Sequence, residues 1–324
     1  MLPFVSICTP TFNRRPFIPY LVKAVERQIY DKTRIEWIIV DDGTDKIEDL
    51  VSNIPYVKYF KYEKQMTLGR KRNIMNAKCS GDIIVYMDDD DYYPPDRVKH
   101  AVESLNRYTN ALCAGSSEMH IYFDHIQKVY QFGPYGPNHA TAATLAFKKE
   151  LLNITAFDDS LAVAEEKHFL KNYTIPMIQL DPLKTILVLS HVHNSVDKKK
   201  LLEIPNQYIK ESHFHVQDFF NSTGANALKQ FYVDQLNSIL PSYLEGDNKY
   251  KPELIKQINI LTEERKKNMQ PLQDMHDKMM QMSAQYESIL EKKEIFIQAL
   301  VKQNKELKQK ILDLQKEHCM RNNI

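Results

Sequence analysis

The chain has 324 residues, 43% of them hydrophobic, with 43 lysines and arginines against 42 aspartates and glutamates. That is enough apolar material for a core and something beyond it, while a net charge of +1 leaves no global electrostatic case for a nucleic-acid or acidic partner. Four scattered cysteines (Cys8, Cys79, Cys113 and Cys319) make no CxxC pair, which fits a reducing compartment better than a disulfide framework or a zinc site. No run approaches the ~20 apolar residues that span a bilayer. The first residues, Met1-Leu2-Pro3-Phe4-Val5, lack the basic region and the length of a signal peptide. A soluble, cytoplasmic protein is expected. With eight glycines and no Walker or GxGxxG pattern, glycine-rich phosphate loops are excluded.

In chain order, Phe4-Val5-Ser6-Ile7-Cys8 reads as a buried strand, closed by Thr9-Pro10-Thr11-Phe12-Asn13-Arg14. Residues 16–27 carry helical spacing, with Phe17, Leu21, Ala24 and Val25 on one face. Glu36-Trp37-Ile38-Ile39-Val40 is a second strand, ending in Asp41-Asp42-Gly43-Thr44-Asp45, and residues 57–60 are a third. Thr67-Leu68-Gly69-Arg70-Lys71-Arg72-Asn73 leads into a helix over residues 74–78. Gly81 resets the chain, and Asp82-Ile83-Ile84-Val85-Tyr86-Met87 then runs into Asp88-Asp89-Asp90-Asp91. Strands alternating with helices predict βαβ units and a largely parallel sheet. The polar motifs fall after the strands, where an open α/β sheet forms its ligand crevice. Adjacent like charges cannot be buried without a counter-charge, and hard oxygens at a strand end suit Mg²⁺ or Mn²⁺ shared with substrate phosphates.

Four of these stretches, residues 5–13, 38–45, 69–73 and 81–91, taken in order and at family-like intervals, resemble the successive signatures of glycosyltransferase family 2. The resemblance covers roughly residues 1–200. It implies the GT-A fold, an α/β nucleotide-binding domain, and transfer of a sugar from a nucleotide-activated donor with a divalent cation, Mn²⁺ or Mg²⁺, and inversion at the anomeric carbon. By the same resemblance Thr9, Pro10 and Thr11 form the loop under the base, and Asp42 meets the base or ribose. Arg72 lies near the phosphates, with Gly69 allowing close backbone approach. Asp90 binds the metal, Asp88 holds ribose or assists the metal, and Asp89 joins the nucleotide-sugar-binding residues; the plainer reading of Asp89 and Asp91 is that they shape the turn. Of Arg70 and Lys71, at least one is expected to be an ordinary surface charge.

Farther on, residues 96–105 read as a helix, residues 111–115 as a strand, and residues 121–123 and 129–132 as a hairpin leading to a loop at residues 132–139 on the acceptor side. His120, His125 and His139 are read as structural or exposed. In Ala164-Glu165-Glu166-Lys167, Glu166 stands where family members carry the base that deprotonates the acceptor hydroxyl, one methylene longer than their aspartate; Glu165 is the fallback. After a strand at residues 185–189, His191 and His193 alternate, so an extended segment turns both to one side. One of them is expected on the metal, as in many GT-A enzymes.

The organisation read from the sequence is a GT-A domain over residues 1–203, a helical extension over 204–252 that packs back through Phe214, Phe219, Phe220, Leu228, Phe231, Leu236 and Leu240, and a coiled coil over 253–320. Its seam runs through Leu254, Ile258, Leu261, Leu272, Met275, Met279, Met282, Tyr286, Ile289, Phe296, Leu300, Leu307 and Leu314. Pro271 should kink or split it. A helix of ~65 residues spans about 100 Å, so self-association through residues 254–318 is expected. The fold and function expected are thus an α/β GT-A domain with a coiled coil, moving a single sugar, with a UDP-sugar favoured, to a glycan, protein or small-molecule acceptor. The rivals are an inactive domain acting as a coiled-coil scaffold and a sugar-nucleotidyltransferase.

Overall fold

The computed structural model describes residues 2–203 and 206–321; within the last helix the side chains of residues 272, 273, 317 and 319–321, and with them the seam position Leu272, lie outside the described set. The chain divides into two compact units, Met1–Asn259 and Ile260–Ile324.

The first unit is built on a seven-stranded sheet in the order β3-β2-β1-β4-β8-β5-β9. Its first half is β1 (Val5–Thr11), β2 (Ile35–Asp41), β3 (Val57–Lys61) and β4 (Ile83–Tyr86), all parallel. β1, β2 and β4 are buried along their whole length. That explains why they read as continuous Val/Ile runs rather than as alternating strands, since helices cover both faces of a parallel sheet. Those helices are α1 (Ile18–Glu26), the short α2 (Glu48–Val51), α3 (Leu68–Lys78) and α4 (Arg97–Arg107). One apolar cluster gathers Ile7, Leu21, Trp37, Val85 and Leu105; another, on the opposite face, gathers Cys8, Ile38, Met75, Tyr86 and Phe147. α3 begins six residues earlier than the predicted helix, so Gly69 and Arg72 sit in its opening turns rather than in a loop.

The chain then leaves the simple pattern. β5 (Cys113–Gly115) pairs in parallel with β9 (Met177–Gln179), and β8 (Ala146–Lys148) lies between β4 and β5, antiparallel to both. A second sheet, β10-β6-β7-β11, contains the expected hairpin, β6 (Met119–Phe123) with β7 (Lys128–Phe132), flanked by β10 (Leu187–Ser190) and β11 (Ile209–Glu211). The five-residue α5 (Glu165–Phe169) follows a left-handed Ala164 at φ 56°. Residues 206–250, predicted helical, hold β11, the short α6 (Val216–Phe219) and a helical run without a gap, in which α7 (Asn226–Lys229) passes through a π-helix at Gln230–Gln235 into α8 (Leu236–Ile239), followed by 3-10 turns. The residues predicted to pack back do so. Phe219, Phe220, Leu228, Phe231, Leu236 and Leu240 are buried with Phe17, Tyr92 and Leu187, and Phe214 packs against them half-buried.

The last helix, α9 (Pro252–Arg321), runs 70 residues with Pro271 inside it, so the chain is not split there. Pro271 is exposed, so the Lys267 carbonyl that loses its helical partner there is free to turn to water. Among the described residues no helix is long and apolar enough to cross a membrane.

Candidate functional site

Strand order reverses between β1 and β4, with β2 and β3 on one side and β8 on the other. This is the switch point at which the loops leaving neighbouring strands diverge and open a crevice. A cavity of about 360 Å³ lies there, lined by Pro10 at the end of β1 and Phe12 and Arg14 just after it, by Lys71 on α3, and by Asp88, Asp89 and Asp90 after β4, with Lys251 just before α9 and Leu254 in its first turn.

The β1 and β2 loops interlock. Asn13, left-handed at φ 51°, accepts the Asp45 backbone N–H at 2.9 Å and donates to the Thr44 hydroxyl at 3.1 Å. Gly43 comes so close that a Cβ there would lie 2.5 Å from the Asn13 side-chain oxygen. Thr9 is spent on the fold: its hydroxyl donates to the Met87 carbonyl at 2.7 Å and accepts the Trp37 indole N–H at 2.9 Å, tying β1 to the aspartate loop. Thr11 lends its carbonyl to Lys71 at 3.2 Å. Asp42 is buried behind the cavity wall; one carboxylate oxygen pairs with Lys71, and the other accepts the Met66 backbone N–H at 2.6 Å. Of the two uncertain cations, Arg70 is exposed and Lys71 is buried in the cavity wall. Gly69 meets protein rather than open space, because a Cβ there would fall 2.0 Å from the Asp158 carbonyl oxygen.

The four aspartates diverge in role. Asp88 receives the two Arg72 terminal nitrogens at 3.2 and 3.3 Å, and Arg72 also donates through Nε to Glu165 at 2.8 Å, with its plane over the Tyr86 ring at 4.6 Å. Arg72 is 1% exposed, so this buried cation needs both carboxylates. Asp89 and Asp90 share Arg14, each at 3.7 Å. Asp90 also faces His191 Nε2 at 3.4 Å. Burial alone would raise Asp90, but His191 and Arg14 outweigh it and hold the carboxyl below its ordinary range, whereas burial and the neighbouring Asp90 push Asp89 up to about 7. Asp91 turns inward and accepts the Leu189 N–H at 3.2 Å.

His191 and His193 do not share a side. The segment is a turn, with the Asn194 N–H bonded to the His191 carbonyl at 3.1 Å and the His193 N–H directed at His191 Nδ1 at 3.2 Å. Only His191 reaches Asp90; the His193 ring lies by Tyr243, centroids 6.1 Å apart. Burial lowers both imidazoles to about 4. At α5, Glu165 is buried on Arg72, while Glu166 next to it is left without that cation; burial and the charge of Glu165 push Glu166 up to about 7.

Two cavity cations escaped the sequence reading, and a third was left open. Arg14 follows a strand-end asparagine like any surface arginine, Lys251 lies about 160 residues beyond the aspartates, and the expectation that at least one of Arg70 and Lys71 is a surface charge did not say which. Only tertiary approach brings them together. Burial and then Arg14 hold the Lys251 ammonium down to about 7.

Residues 6–157 match the family model described as Glycosyl transferase family 2. Among curated proteins, the poly(ribitol-phosphate) beta-N-acetylglucosaminyltransferase TarS of Staphylococcus aureus is 26% identical over 108 residues, covering 32% of this chain and 19% of that protein. The GalNAc(5)-diNAcBac-PP-undecaprenol beta-1,3-glucosyltransferase of Campylobacter jejuni is 32% identical over 97 residues, covering 28% of this chain and 30% of that one. The chain therefore spans well under half the length of these relatives. Among solved structures, S. aureus TarS 1–349 in complex with UDP has a TM-score of 0.48 at 18% identity, over 72% of this chain and 73% of that one. The likeness to glycosyl transferase family 2 thus lies in residues 6–157, just under half of the chain.

Proposed function

We propose that the chain is an inverting, metal-dependent glycosyltransferase that moves one sugar from a nucleotide-sugar donor, a UDP-sugar favoured, to the hydroxyl of a glycan, protein or small-molecule acceptor. The observation that carries the reading is that Asp88, Asp89 and Asp90 line one switch-point cavity and that Arg72 bridges Asp88 to Glu165, the neighbour of Glu166. The family match over residues 6–157 supports the transferase class, and relatives named for N-acetylglucosamine and glucose transfer support a hexose donor.

The donor would enter over Pro10 and Phe12, with its nucleotide towards Thr11, Asp42 and Lys71. Asp42 acts there through Lys71, whose ammonium it fixes at the cavity wall. Among the described residues no three His, Cys, Asp or Glu side chains converge as a ready-made metal cage. Such a cage is not required: Mg²⁺-type sites use one or two protein groups and complete the shell with substrate phosphates and water. Asp90 and His191 fit that role, a carboxylate and a neutral imidazole 3.4 Å apart, with Asp88 nearby on Arg72. When bound, the cation offsets the charge that builds on the departing diphosphate.

Glu166 is the base. Arg72 compensates Glu165 and Asp88, so Glu166 is the member of the group left to accept a proton. A raised pKa near 7 matches a base operating near neutrality. The acceptor oxygen bonds to the anomeric carbon, the bond from that carbon to the diphosphate oxygen breaks, and the hydroxyl proton passes to Glu166. One carboxylate acting in one displacement gives inversion.

Outside the site, Cys8, Cys79 and Cys113 are free thiols, which supports a reducing, cytoplasmic setting. The seam residues Met279, Phe296 and Leu300 of α9 are 63%, 64% and 45% exposed on the single chain, which supports self-association through residues 254–318. The direct test is nucleotide release from a panel of UDP- and GDP-sugars, with Mn²⁺ or with chelator. Metal-dependent release by the wild type, lost in Asp90→Ala, is expected. No release from any donor under either condition would refute the reading in favour of an inactive scaffold.

A further inference from the structure

Of the cations lining the cavity, two already have carboxylate partners within the protein: Lys71 is paired with Asp42, and Arg14 with Asp89 and Asp90. Lys251 is different. Among the described residues no carboxylate lies within 4 Å of its ammonium; Asp89 and Asp90 act on it from farther across the cavity, and Glu253 lines the same cavity without pairing with it. Its ammonium instead lies 5.5 Å from the centroid of the Phe12 ring, which also has the Lys71 ammonium at 5.8 Å. The Lys251 side chain is half-buried, and a partly desolvated cation without a close counter-ion is unfavourable unless something else supplies the negative charge.

Lys251 is held in place from both sides. The Tyr243 hydroxyl donates to Asp45 at 2.7 Å, Asn13 donates to the Glu245 carbonyl at 2.8 Å, and Arg14 donates to the Gly246 carbonyl at 3.2 Å. Asn248 donates to the Asn194 carbonyl at 2.6 Å, and Gln65 to the Tyr250 carbonyl at 3.0 Å. Beyond Lys251, the Gln257 amide accepts the Ala162 N–H and donates to the Ser160 carbonyl, both at 2.8 Å. Residues 243–257, which lie past the matched family domain, are thus strapped onto the loops after β1 and β2, the loop before α3, the His191 turn and the loop before α5. Gly246 is needed for this approach, since a Cβ there would lie 2.5 Å from His193 Nδ1.

We propose that the 243–257 strap completes the donor cavity and that Lys251 binds the diphosphate of the nucleotide sugar, adding a cation without a close carboxylate beside Lys71 and Arg14, which the family domain supplies already paired. The inference rests on the donor-site reading above. It gives the strap a defined ligand chemistry: a pyrophosphate group, recognised by an ammonium donor over an aromatic ring.

The test is calorimetric titration of the full-length chain with UDP and GDP, and with uridine and guanosine, at fixed salt with Mn²⁺. Lys251→Gln should weaken binding of the favoured diphosphate by about ten-fold or more, the loss of a charge-assisted contact, and leave the matching nucleoside within about two-fold. Lys251→Arg, which keeps the charge, should stay close to the wild type. Unfolding midpoints of both variants should be no lower than that of the wild type, because Lys251 makes no ion pair that folding needs. As a second probe that leaves Lys251 untouched, Gln65→Ala, which cuts the tie to Tyr250, should weaken the diphosphate more than the nucleoside. Unchanged diphosphate affinity in Lys251→Gln overturns the inference while leaving the donor-site reading intact. Failure of the wild type to bind either nucleoside diphosphate overturns both.

Discussion

Arg72 makes the difference between Glu165 and Glu166 a chemical one. It donates to Glu165 and Asp88 and fixes both in place, and Glu166 is left with burial and a like charge beside it. Glu166→Gln should retain donor binding and lose about 10²- to 10⁴-fold in transfer rate, measured as product formation at saturating donor. Glu165→Gln acts differently: it leaves buried Arg72 short of a partner and should cost about 3–5 kcal/mol of stability, read from denaturant unfolding. A base works only when ionised, and Glu166 is held at about 7. Transfer should therefore climb through neutral pH and fall about ten-fold per pH unit well below it. A profile flat between pH 5 and 8 contradicts the assignment. The acids were legible in the sequence because each stood at a strand end or helix start with nothing apolar to explain it. Their partners were not, since Arg14, Lys71 and Lys251 acquire meaning only when distant segments meet.

Among the elements, the parallel strands place the motif loops, and two features anchor them. Glu36 on β2 is buried and accepts from the Ser6 hydroxyl at 2.5 Å, Lys58 at 2.6 Å, and the Ser80 N–H and hydroxyl at 2.6 and 2.7 Å. Burial alone would raise this carboxyl, but Lys58 and then Ser6 outweigh it and bring it from 4.5 down to about 2. A carboxyl lowered by folding stabilises the fold above its unfolded pKa, and that contribution disappears as pH falls from about 4.5 through about 2. It amounts to roughly 2–3 kcal/mol, so acid unfolding of the wild type should be steep there and that of Glu36→Gln shallower, as followed by circular dichroism. The second anchor is Gly69, whose contact with the Asp158 carbonyl seats α3 against the loop that leads to α5. Gly69→Ala should destabilise the chain by about 1–3 kcal/mol, lowering its thermal midpoint. β1, β2, β4 and α1 were legible because long apolar runs and helical spacing are local signals. The three-residue strands β9 and β11 were not, because so short a strand is defined by its neighbours. The extended reading of the His191 segment failed because the Asn194 side chain and backbone fold it into a turn.

For the whole molecule, the domain and its C-terminal helix pose separate questions. The helix was legible in its length and spacing, while Pro271 does not split it, because a proline on an exposed face interrupts hydrogen bonding without ending the helix. The apolar seam predicts an oligomer in which Ile289→Lys with Leu300→Lys lowers the mass measured by light scattering to that of one chain; a wild type already monomeric would remove the case for self-association. The account as a whole depends on the acids after β4 holding a cation against the donor diphosphate. Its most direct measurement is an electron paramagnetic resonance titration of Mn²⁺ into the full-length chain with UDP present. The account predicts a bound-Mn²⁺ signal that saturates at one ion per chain for the wild type and is lost in Asp90→Ala. Equal Mn²⁺ binding by the two proteins would contradict it.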